Sequence, residues 1–387
     1  MLMADSLKLN ASVKIGFDAK RAFLNKTGLG NYSRAVIQSL AKYFPGNNYY
    51  LYTPKARLIS SSGFLHDLDN TFVRLPGAKA FKSLWRSRGI VKDLKRDKIQ
   101  LYHGLSQELP FSIKKSGIKT VVTIHDLIYL KYPEYFGFID RKIYEWKARA
   151  ACANADLVIA VSEQTKADLV NFFDLPPQKI KVVYQGCDAA FRQLQNDAVK
   201  EAVRVRYRLP KKFILNVGTI ETRKNLLLAV NALKRIAPDI SLVVVGRQTK
   251  YAEKIKNYLV KEALQNRVLF LSDVSFQDLP AIYQMAEVFA YPSRYEGFGI
   301  PVLEALCSGT PVIAATGSCL EEAGGPDSIY VGPDDDVSFA QQINSILNND
   351  QLKTKMKTKG LEFASRFKDK IIAQNLMDVY QQVLNDA

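Results

Sequence analysis

The chain has 387 residues, of which 47% are hydrophobic and 11% aromatic, as in ordinary globular proteins, and this length suits two domains. No apolar run of about 18 residues and no secretory signal is visible, so neither a membrane-spanning helix nor export is expected. The net charge is +16, and residues 1–190 hold 29 basic against 16 acidic residues, which predicts an anionic partner such as nucleic acid, a phosphorylated acceptor or an anionic membrane surface.

Short runs rich in β-branched and aromatic residues alternate with longer amphipathic stretches. In the first half of the chain, strands are predicted at 13–19, 48–54, 99–104, 119–126, 155–162 and 179–186. Helical patterns lie between some of them, for example at 30–44 and 141–155. This alternation predicts parallel βαβ units and a doubly wound sheet.

The pattern pauses in a polar stretch at 195–212 and then restarts. The second set of predicted strands lies at 213–219, 240–246, 268–273, 288–293 and 310–315. We therefore predict an α/β protein with two Rossmann-like domains that face each other across a cleft, at 1–190 and 191–366. A last helix within 367–387 can pack on either domain, and we expect it to pack back on the N-terminal one.

Candidate site residues in the first half follow the predicted strands, because ligands of open α/β sheets bind beyond the carboxyl ends of the strands. Gly28 and Gly30 precede a helix whose amides could approach an anion or a sugar, although a plain glycine turn fits equally well. His125 can form a hydrogen bond with a sugar hydroxyl or a phosphate, and Asp126 follows it. His103 has a similar position, and we place His103 and Asp126 on the acceptor side of the cleft.

In the second half, Gly218 ends a predicted strand, and Arg223, Lys224 and Asn225 are expected to begin the next helix. Two cations at a helix N-terminus oppose the helix dipole and add no stability there. They are explained if a diphosphate binds between them. The alternative is a solvated basic turn.

The segment "SRYEGFGIPVLEAL" at 293–306 places two carboxylates around a sharp turn. Gly297 and Gly299 let the backbone turn with its amides exposed, and Pro301 fits the first helical position, which puts Glu304 in the first turn. A carboxylate accepts two hydroxyl protons well, as a ribose diol requires, so Glu304 suits a ribose and Glu296 a hexose. The pattern fits a nucleotide-sugar, whereas an ordinary strand–turn–helix is the simpler alternative.

These segments resemble the retaining glycosyltransferases of the GT-B fold, specifically family four, over about 13 to 385. The resemblance is carried by "EGFGIPVLEA", "TGLGNYSR", "YHGLSQELPF", "IHDLIYLKYPEYF" and "VGTIETRKN". The "IHDL" and "YHG" segments are most similar to the bacterial mannosyltransferase-like branch that builds surface polysaccharides.

The resemblance implies a role for each matching residue. Glu304 would hold the ribose, Lys224 would neutralise the diphosphate, and His125 would touch the donor sugar near the reacting centre. Glu296 would grip the donor sugar together with the amides of Phe298, Gly299 and Ile300. Gly28 and Gly30 would close over the phosphates and the acceptor.

The chain departs from the family pattern at two places. Thr219 stands where some members have an arginine. Arg223 and Lys224 must then neutralise the charge of the phosphates, and how much Arg223 contributes is left open. Where the family usually has Leu-Pro-Glu, this chain has Leu320-Glu321-Glu322. The role of the family's glutamate can therefore be carried over only to Glu322.

The resemblance implies a retaining transfer of a hexose, mannose or a similar sugar, from a GDP- or UDP-sugar to a saccharide or polyprenyl-phosphate-linked acceptor. Neither a metal ion nor a cofactor is expected, and no dedicated nucleophile is required. One alternative is a nucleotide-sugar epimerase or hydrolase on the same fold. A second is a nucleic-acid-binding protein, but the chain lacks the compact basic and aromatic module of such proteins, so we expect no nucleic acid partner.

The cellular setting is predicted from the cysteines and from one basic stretch. The four cysteines show no CxxC spacing, so we expect a reduced, cytoplasmic protein. Residues 79–98 can place Phe81, Leu84, Trp85, Val91 and Leu94 along one helical stripe. This stretch could dock on anionic lipid as a peripheral contact, or it could be an amphipathic helix that covers its own sheet.

Overall fold

The computed structural model describes residues 12–55, 63–65, 68–77 and 85–386. These residues form two parallel β-sheets with helices on both faces of each. This is the arrangement that alternating strands and helices predict, because each helix must bury one apolar stripe against a sheet.

The first sheet has seven strands in the order β3-β2-β1-β4-β5-β6-β7. Its strands are β1 Lys14–Asp18, β2 Asn48–Tyr52, β3 Thr71–Arg74, β4 Leu101–Gly104, β5 Lys119–Ile124, β6 Leu157–Ala160 and β7 Ile180–Val182. The helices of this half are α1 Lys20–Leu24, α2 Gly28–Tyr43, α3 Ile90–Arg96, α4 Ile128–Lys131, α5 Phe138–Asn154 and α6 Glu163–Phe173. The strand order reverses between β1 and β4, which makes the carboxyl ends of these strands the expected ligand edge.

The second sheet has six strands in the order β10-β9-β8-β11-β12-β13. Its strands are β8 Phe213–Val217, β9 Ser241–Val245, β10 Val268–Leu271, β11 Val288–Tyr291, β12 Val312–Ala315 and β13 Ile329–Val331. The helices are α7 Asp197–Tyr207, α8 Leu226–Ala232, α9 Lys250–Lys261, α10 Leu279–Met285, α11 Ile300–Cys307, α12 Leu320–Gly324, α13 Asp336–Leu347, α14 Asp350–Ala364 and α15 Asp369–Asn385. The order reverses between β8 and β11, at the strands that carry Gly218 and Glu296 at their ends.

All eleven predicted strands are present, and β3 and β13 were not predicted. Both are edge strands of three or four residues. An edge strand is covered less than a central one, so its sequence shows a weaker apolar run. The other two edge strands, β7 and β10, were predicted, so an edge position weakens the sequence signal without removing it.

The last helix, α15, lies in the apolar cluster of the first sheet, although the chain reaches it from the second. Its buried residues Leu376, Tyr380 and Val383 pack there with β1 and α2 residues such as Ile15 and Ile37. The hydroxyl of Tyr380 also forms a 2.6 Å hydrogen bond with His103 Nδ1. The final helix thus ties the end of the chain to the first sheet.

Helix α3 covers the first sheet with the described part of the stretch 79–98. Ile90 and Leu94 are fully buried in the cluster over this sheet, and Trp85 and Val91 pack against it. Phe81 and Leu84 lie outside the described residues. Within the part of the chain that the structure describes, no helix is long and apolar enough to cross a bilayer.

Candidate donor site

The core of the site is Glu296, in the loop between β11 and α11, which holds both basic residues of the "TRKN" segment. Its carboxylate Oε1 lies 2.6 Å from Lys224 Nζ and 2.9 Å from Arg223 Nη1. The hydroxyls of Ser293 and Tyr291 also donate to it, at 2.5 and 3.1 Å. Burial by itself would raise the pKa of Glu296, but the two cations outweigh it and lower the pKa to about 2. Glu296 is therefore ionised and fixed at neutral pH.

Arg223 and Lys224 occupy a 3₁₀ turn, Thr222–Lys224, and do not begin a helix as predicted. Asn225 has a φ of 54°, in the left-handed region, so helix α8 starts only at Leu226. Lys224 extends past Gly218, whose φ of 149° lies in a region that favours glycine. The guanidinium of Arg223 also binds Glu221 at 2.7 Å, so Lys224 is the less engaged of the two cations.

Glu304 is the fifth residue of α11, one position beyond the first turn in which it was predicted. The helix starts at Ile300, one residue before Pro301, and its N-cap is Gly299, which has a φ of 110°. Burial raises the pKa of Glu304 to about 7, and the Tyr283 hydroxyl, which donates to Oε2 at 2.8 Å, offsets this only in part. One carboxylate oxygen thus accepts a hydrogen bond from Tyr283. At neutral pH Glu304 is a mixture of the protonated and the ionised form.

Phe298, Gly299 and Ile300 connect the two glutamates, as expected from their place in the chain. Phe298 is buried and stacks on Tyr184 with ring centroids 5.5 Å apart, so its side chain anchors the loop. Gly299 and Ile300 form the N-terminus of α11, whose first amides have no partner within the helix. Such amides are suited to phosphate or sugar oxygens.

Gly28 and Gly30 begin helix α2, Gly28–Tyr43, with Thr27 as cap. A Cβ at Gly30 would lie 1.9 Å from the carbonyl oxygen of Asn25, so the turn itself requires this glycine. Gly28 is exposed, and a Cβ there would meet nothing within 4 Å. The plain turn therefore accounts for Gly30, and a ligand role for either residue stays a prediction.

His125 follows β5 directly and is buried. Its Nε2 donates to the carbonyl oxygen of Leu105 at 2.9 Å, which makes Nδ1 the acceptor nitrogen. Burial is the main cause that lowers the pKa of His125 to about 4. At neutral pH the ring is uncharged and able to accept a hydrogen bond from a hydroxyl.

Asp126, next to His125, lies across the cleft from the charged cluster. Burial raises its pKa, and the charges of Arg223 and Glu296 on the second domain act on it. Its Oδ1 accepts the amide of Ile128 at 3.3 Å at the start of α4. The structure thus places Asp126 within electrostatic reach of Arg223 and Glu296, while its assignment to the acceptor remains a prediction.

His103 has both ring nitrogens engaged inside the first domain. Nε2 lies 2.8 Å from Thr123 Oγ1 and Nδ1 lies 2.6 Å from the Tyr380 hydroxyl. Burial lowers its pKa to about 3, so the ring is neutral. In this position His103 anchors helix α15, and nothing in its contacts points to the acceptor role we predicted for it.

The contacts that hold the two domains together next to the site include three sets of hydrogen bonds and one close backbone approach. The hydroxyl of Ser162 donates to the carbonyl oxygen of Gly297 at 2.7 Å, and the Tyr295 hydroxyl donates to Asp168. The carboxylate of Glu322 accepts the amides of Glu163 and Gln164, at 2.7 and 3.0 Å, at the N-terminus of α6.

The close backbone approach is between Gly297 and His125. A Cβ at Gly297 would lie 2.0 Å from the His125 carbonyl oxygen, so this approach requires glycine. The contact between the two domains thus brings the predicted donor residue Glu296 close to the predicted reacting-centre residue His125.

Sequence reasoning missed four side chains that shape the site: Tyr291, Ser293, Tyr283 and Cys319. Tyr291 and Ser293 stand at the end of β11, where a search for polar residues just after strands would have found them. Cys319 donates its thiol to the carbonyl oxygens of Glu296 and Phe298, at 3.1 and 3.2 Å. Tyr283 lies on α10, and no sequence signal links it to Glu304. Among the described residues, no group of three or more His, Cys, Asp or Glu side chains is arranged to hold a metal ion.

Two family models match the two halves of the chain. The family model "Glycosyltransferase Family 4" matches residues 27–191, and "Glycosyl transferases group 1" matches residues 199–363. An O-antigen chain mannosyltransferase B of Escherichia coli is 26% identical over 357 residues, which cover 88% of this chain and 92% of the relative.

Solved structures agree on the fold. Sucrose-phosphate synthase from Thermosynechococcus elongatus superposes with a TM-score of 0.75 at 22% identity, over 97% of this chain and 100% of that one. HepE from Anabaena, solved in complex with UDP, superposes with a TM-score of 0.73 at 18% identity, over 96% of this chain and 100% of that one. The fold is GT-B, and the chain belongs to the family 4, group 1 glycosyltransferases.

Proposed function

We propose that this enzyme transfers a hexosyl group, mannose or a similar sugar, from a GDP- or UDP-sugar to a saccharide or polyprenyl-phosphate-linked acceptor of a surface polysaccharide. Glycosyltransferase activity follows from the family. The mannosyl donor is supported by the similarity to the O-antigen chain mannosyltransferase. A nucleotide-sugar donor is supported by the fold shared with a protein solved with UDP.

The observation that carries the proposal is the grouping of Glu304, Glu296 and Lys224 at the carboxyl edge of the second sheet. Glu304 has an oxygen beyond the one bound to Tyr283, and an ionised carboxylate accepts hydroxyl protons of a ribose. Lys224 supplies a positive charge one short loop away from it. A nucleoside diphosphate sugar presents a diol, two phosphates and a hexose in the order that such a site can bind.

The charge that develops during transfer explains the basic pair. As the bond from the anomeric carbon to phosphate breaks, negative charge accumulates on the diphosphate. The ammonium of Lys224 and the amides at the start of α11 stabilise that charge in a partly desolvated cleft. We propose that these groups make a metal ion unnecessary. The acceptor oxygen attacks from the face that the diphosphate leaves, its proton passes to the departing phosphate, and the configuration is retained.

The test is a thermal-shift screen of the full chain with GDP, UDP and their sugars, followed by transfer assays with the donor that stabilises most. We expect transfer to a saccharide acceptor with and without EDTA, and NMR of the product to show the anomeric configuration of the donor. An inverted product contradicts retention, and loss of activity with EDTA contradicts metal independence. Release of free sugar at the same rate with and without acceptor supports the hydrolase alternative.

A further inference from the structure

A second pocket opens at the carboxyl edge of the first sheet, apart from the donor residues. It has a volume of about 570 Å³ and includes Asp18 at the end of β1, Pro54 beyond β2 and Tyr102 in β4. His125 follows β5 at the same edge of the same sheet. The pocket therefore belongs to the side of the cleft that faces the donor domain.

The lining of this pocket is rich in basic side chains. Among the described residues that line it, four are basic and two are acidic, namely Lys20, Lys55, Arg86 and Lys147 against Asp18 and Glu108. Glu108 is shared, since both Arg86 and Lys147 pair with it, the latter at 3.2 Å. The lining of the pocket thus carries a net positive charge, which a bound anion would neutralise.

The pKa values of two of the lysines agree with this balance. Burial lowers the pKa of Lys20 and of Lys147, and the neighbouring charge of Arg86 lowers each further. Neighbouring cations disfavour each other's charged forms, so their mutual repulsion is relieved when an anion binds between them.

An apolar surface continues from the same pocket along helix α5. Trp146 lines the pocket and packs on Phe111, with ring centroids 5.0 Å apart. Ile139, Ile143 and Trp146 are spaced by four and three residues, which places them on one face of the helix. Their exposed fractions are 72%, 43% and 58%. We call these three residues the α5 stripe.

We propose that the pocket binds the phosphate of an amphiphilic acceptor, whose apolar chain lies along the α5 stripe. The proposal rests on the proposed transfer reaction and specifies its acceptor. A phosphate joined directly to a hydrocarbon chain matches a cationic pocket that continues into an apolar surface. Neither feature alone selects such a molecule, and the shared residue Trp146 makes the two features continuous.

The test measures binding of farnesyl phosphate, dispersed below its micellar concentration, to the full chain. Trp85→Phe leaves Trp146 as the sole tryptophan, and its fluorescence should change saturably on titration. Lys20→Gln together with Lys147→Gln should raise the Kd about tenfold or more, because two charged contacts to the phosphate are lost. Lys142→Gln, a matched control on the same helix and outside the pocket, should change the Kd by less than about twofold.

The apolar half of the site has its own control. Ile143→Ser should weaken binding of farnesyl phosphate and leave binding of inorganic phosphate unchanged. Val205→Ser, at an exposed position of α7 on the second domain, should alter neither. Circular dichroism of each variant checks that the fold is retained.

Two results would overturn the proposal. One is an equal Kd for farnesyl phosphate in the double lysine variant and in Lys142→Gln. The other is binding to anionic phosphatidylglycerol vesicles without saturable binding of dispersed farnesyl phosphate, which would assign the surface to membrane docking.

Thermal shifts with the nucleotide donor, measured on the same variants, separate the test of this acceptor site from the test of the proposed function. Failure of the donor to bind contradicts the proposed function, whereas failure of farnesyl phosphate with an intact donor shift contradicts only this acceptor site.

Discussion

We expect the carboxyl group of Glu304 to give donor binding a pH dependence near neutrality. Its pKa is raised to about 7 by burial, and only the ionised form accepts both hydroxyls of a ribose. Donor binding therefore favours loss of the proton, and below pH 7 the donor Kd should rise about tenfold per pH unit. Above pH 8 it should level off. Calorimetric titration of a nucleotide-sugar from pH 5.5 to 8.5, a range in which the donor diphosphate does not titrate, measures this.

Glu304→Gln removes the titrating group and supplies the control for that measurement. The variant should bind the donor more weakly at pH 8, with a Kd that no longer changes with pH. Glu253→Gln, at an exposed position of α9, should keep the wild-type profile. A wild-type Kd that is constant between pH 5.5 and 8.5 would show that Glu304 does not contact the donor.

Lys224 and Arg223 should differ in their effect on the rate. Lys224→Ala should lower kcat/KM by about a hundredfold or more, because we propose that the ammonium stabilises charge that appears on the leaving diphosphate. Arg223→Gln should lower it less, since its guanidinium already binds Glu221 and Glu296. Steady-state kinetics compare the two, with Lys261→Ala on the exposed end of α9 as control. Near-normal turnover in Lys224→Ala would count against the site.

At the scale of elements, the loop between β11 and α11 makes the closest approach between the domains. In Gly297→Ala, the new Cβ would meet the His125 carbonyl oxygen at 2.0 Å, so the closed arrangement must open. Transfer should fall more than about tenfold, while the donor, which we propose is held mainly by the second domain, should bind nearly as before. Gly46→Ala, where a Cβ meets nothing within 4 Å, is the matched control. Wild-type kcat in Gly297→Ala would mean that this approach is dispensable.

Helix α15 depends on one buried polar contact in addition to its apolar face. Tyr380→Phe leaves His103 Nδ1 without the partner that lies at 2.6 Å. An unsatisfied buried group costs about 1–3 kcal/mol, so the free energy of unfolding of the first domain should fall by that amount. Urea denaturation measures this, with Tyr144→Phe, at a half-exposed position of α5, as control. No difference between the two variants would show that the contact adds nothing to stability.

The strands that are clearest in the sequence have a neighbouring strand on each side, although the edge strands β7 and β10 were predicted as well. Central strands such as β8 and β9 are continuous apolar runs, and these give the clearest signal. The edge strands β3 and β13 were missed because they are short and only partly covered. The start of α8 was placed too early because Asn225 adopts a left-handed conformation that its sequence context does not reveal.

The grouping of the candidate site residues was predictable where they lie close together in the chain. Glu296, Gly299 and Glu304 stand on one strand–turn–helix, and Lys224 was found from a basic pair after a strand. The hydrogen-bond partner of Glu304 was not predicted, because Tyr283 lies on another helix and no local sequence pattern indicates their contact. His103 follows a strand as His125 does, yet its two nitrogens bind Thr123 and Tyr380, which only the packing of α15 decides.

At the scale of the whole molecule, Glu322 joins the two domains through hydrogen bonds. Its carboxylate accepts two amides at the N-terminus of α6, where the helix dipole also favours an anion. Glu322→Ala should shift the population toward more open forms, with a larger radius of gyration in small-angle scattering and a lower kcat. Glu321→Ala is the matched control, since its carboxylate accepts the Thr316 hydroxyl of its own domain near the surface. Equal scattering from the two variants would show that Glu322 does not control closure.

The whole account depends on a nucleotide-sugar bound between the two domains. The most direct measurement is a crystal structure of the full chain with the nucleotide diphosphate that stabilises it most. We expect the ribose hydroxyls on Glu304, the diphosphate beside Lys224 and the N-terminus of α11, and the terminal phosphate facing His125. A nucleotide bound elsewhere, or none bound next to Glu304 and Lys224 at saturating concentration, would contradict the account.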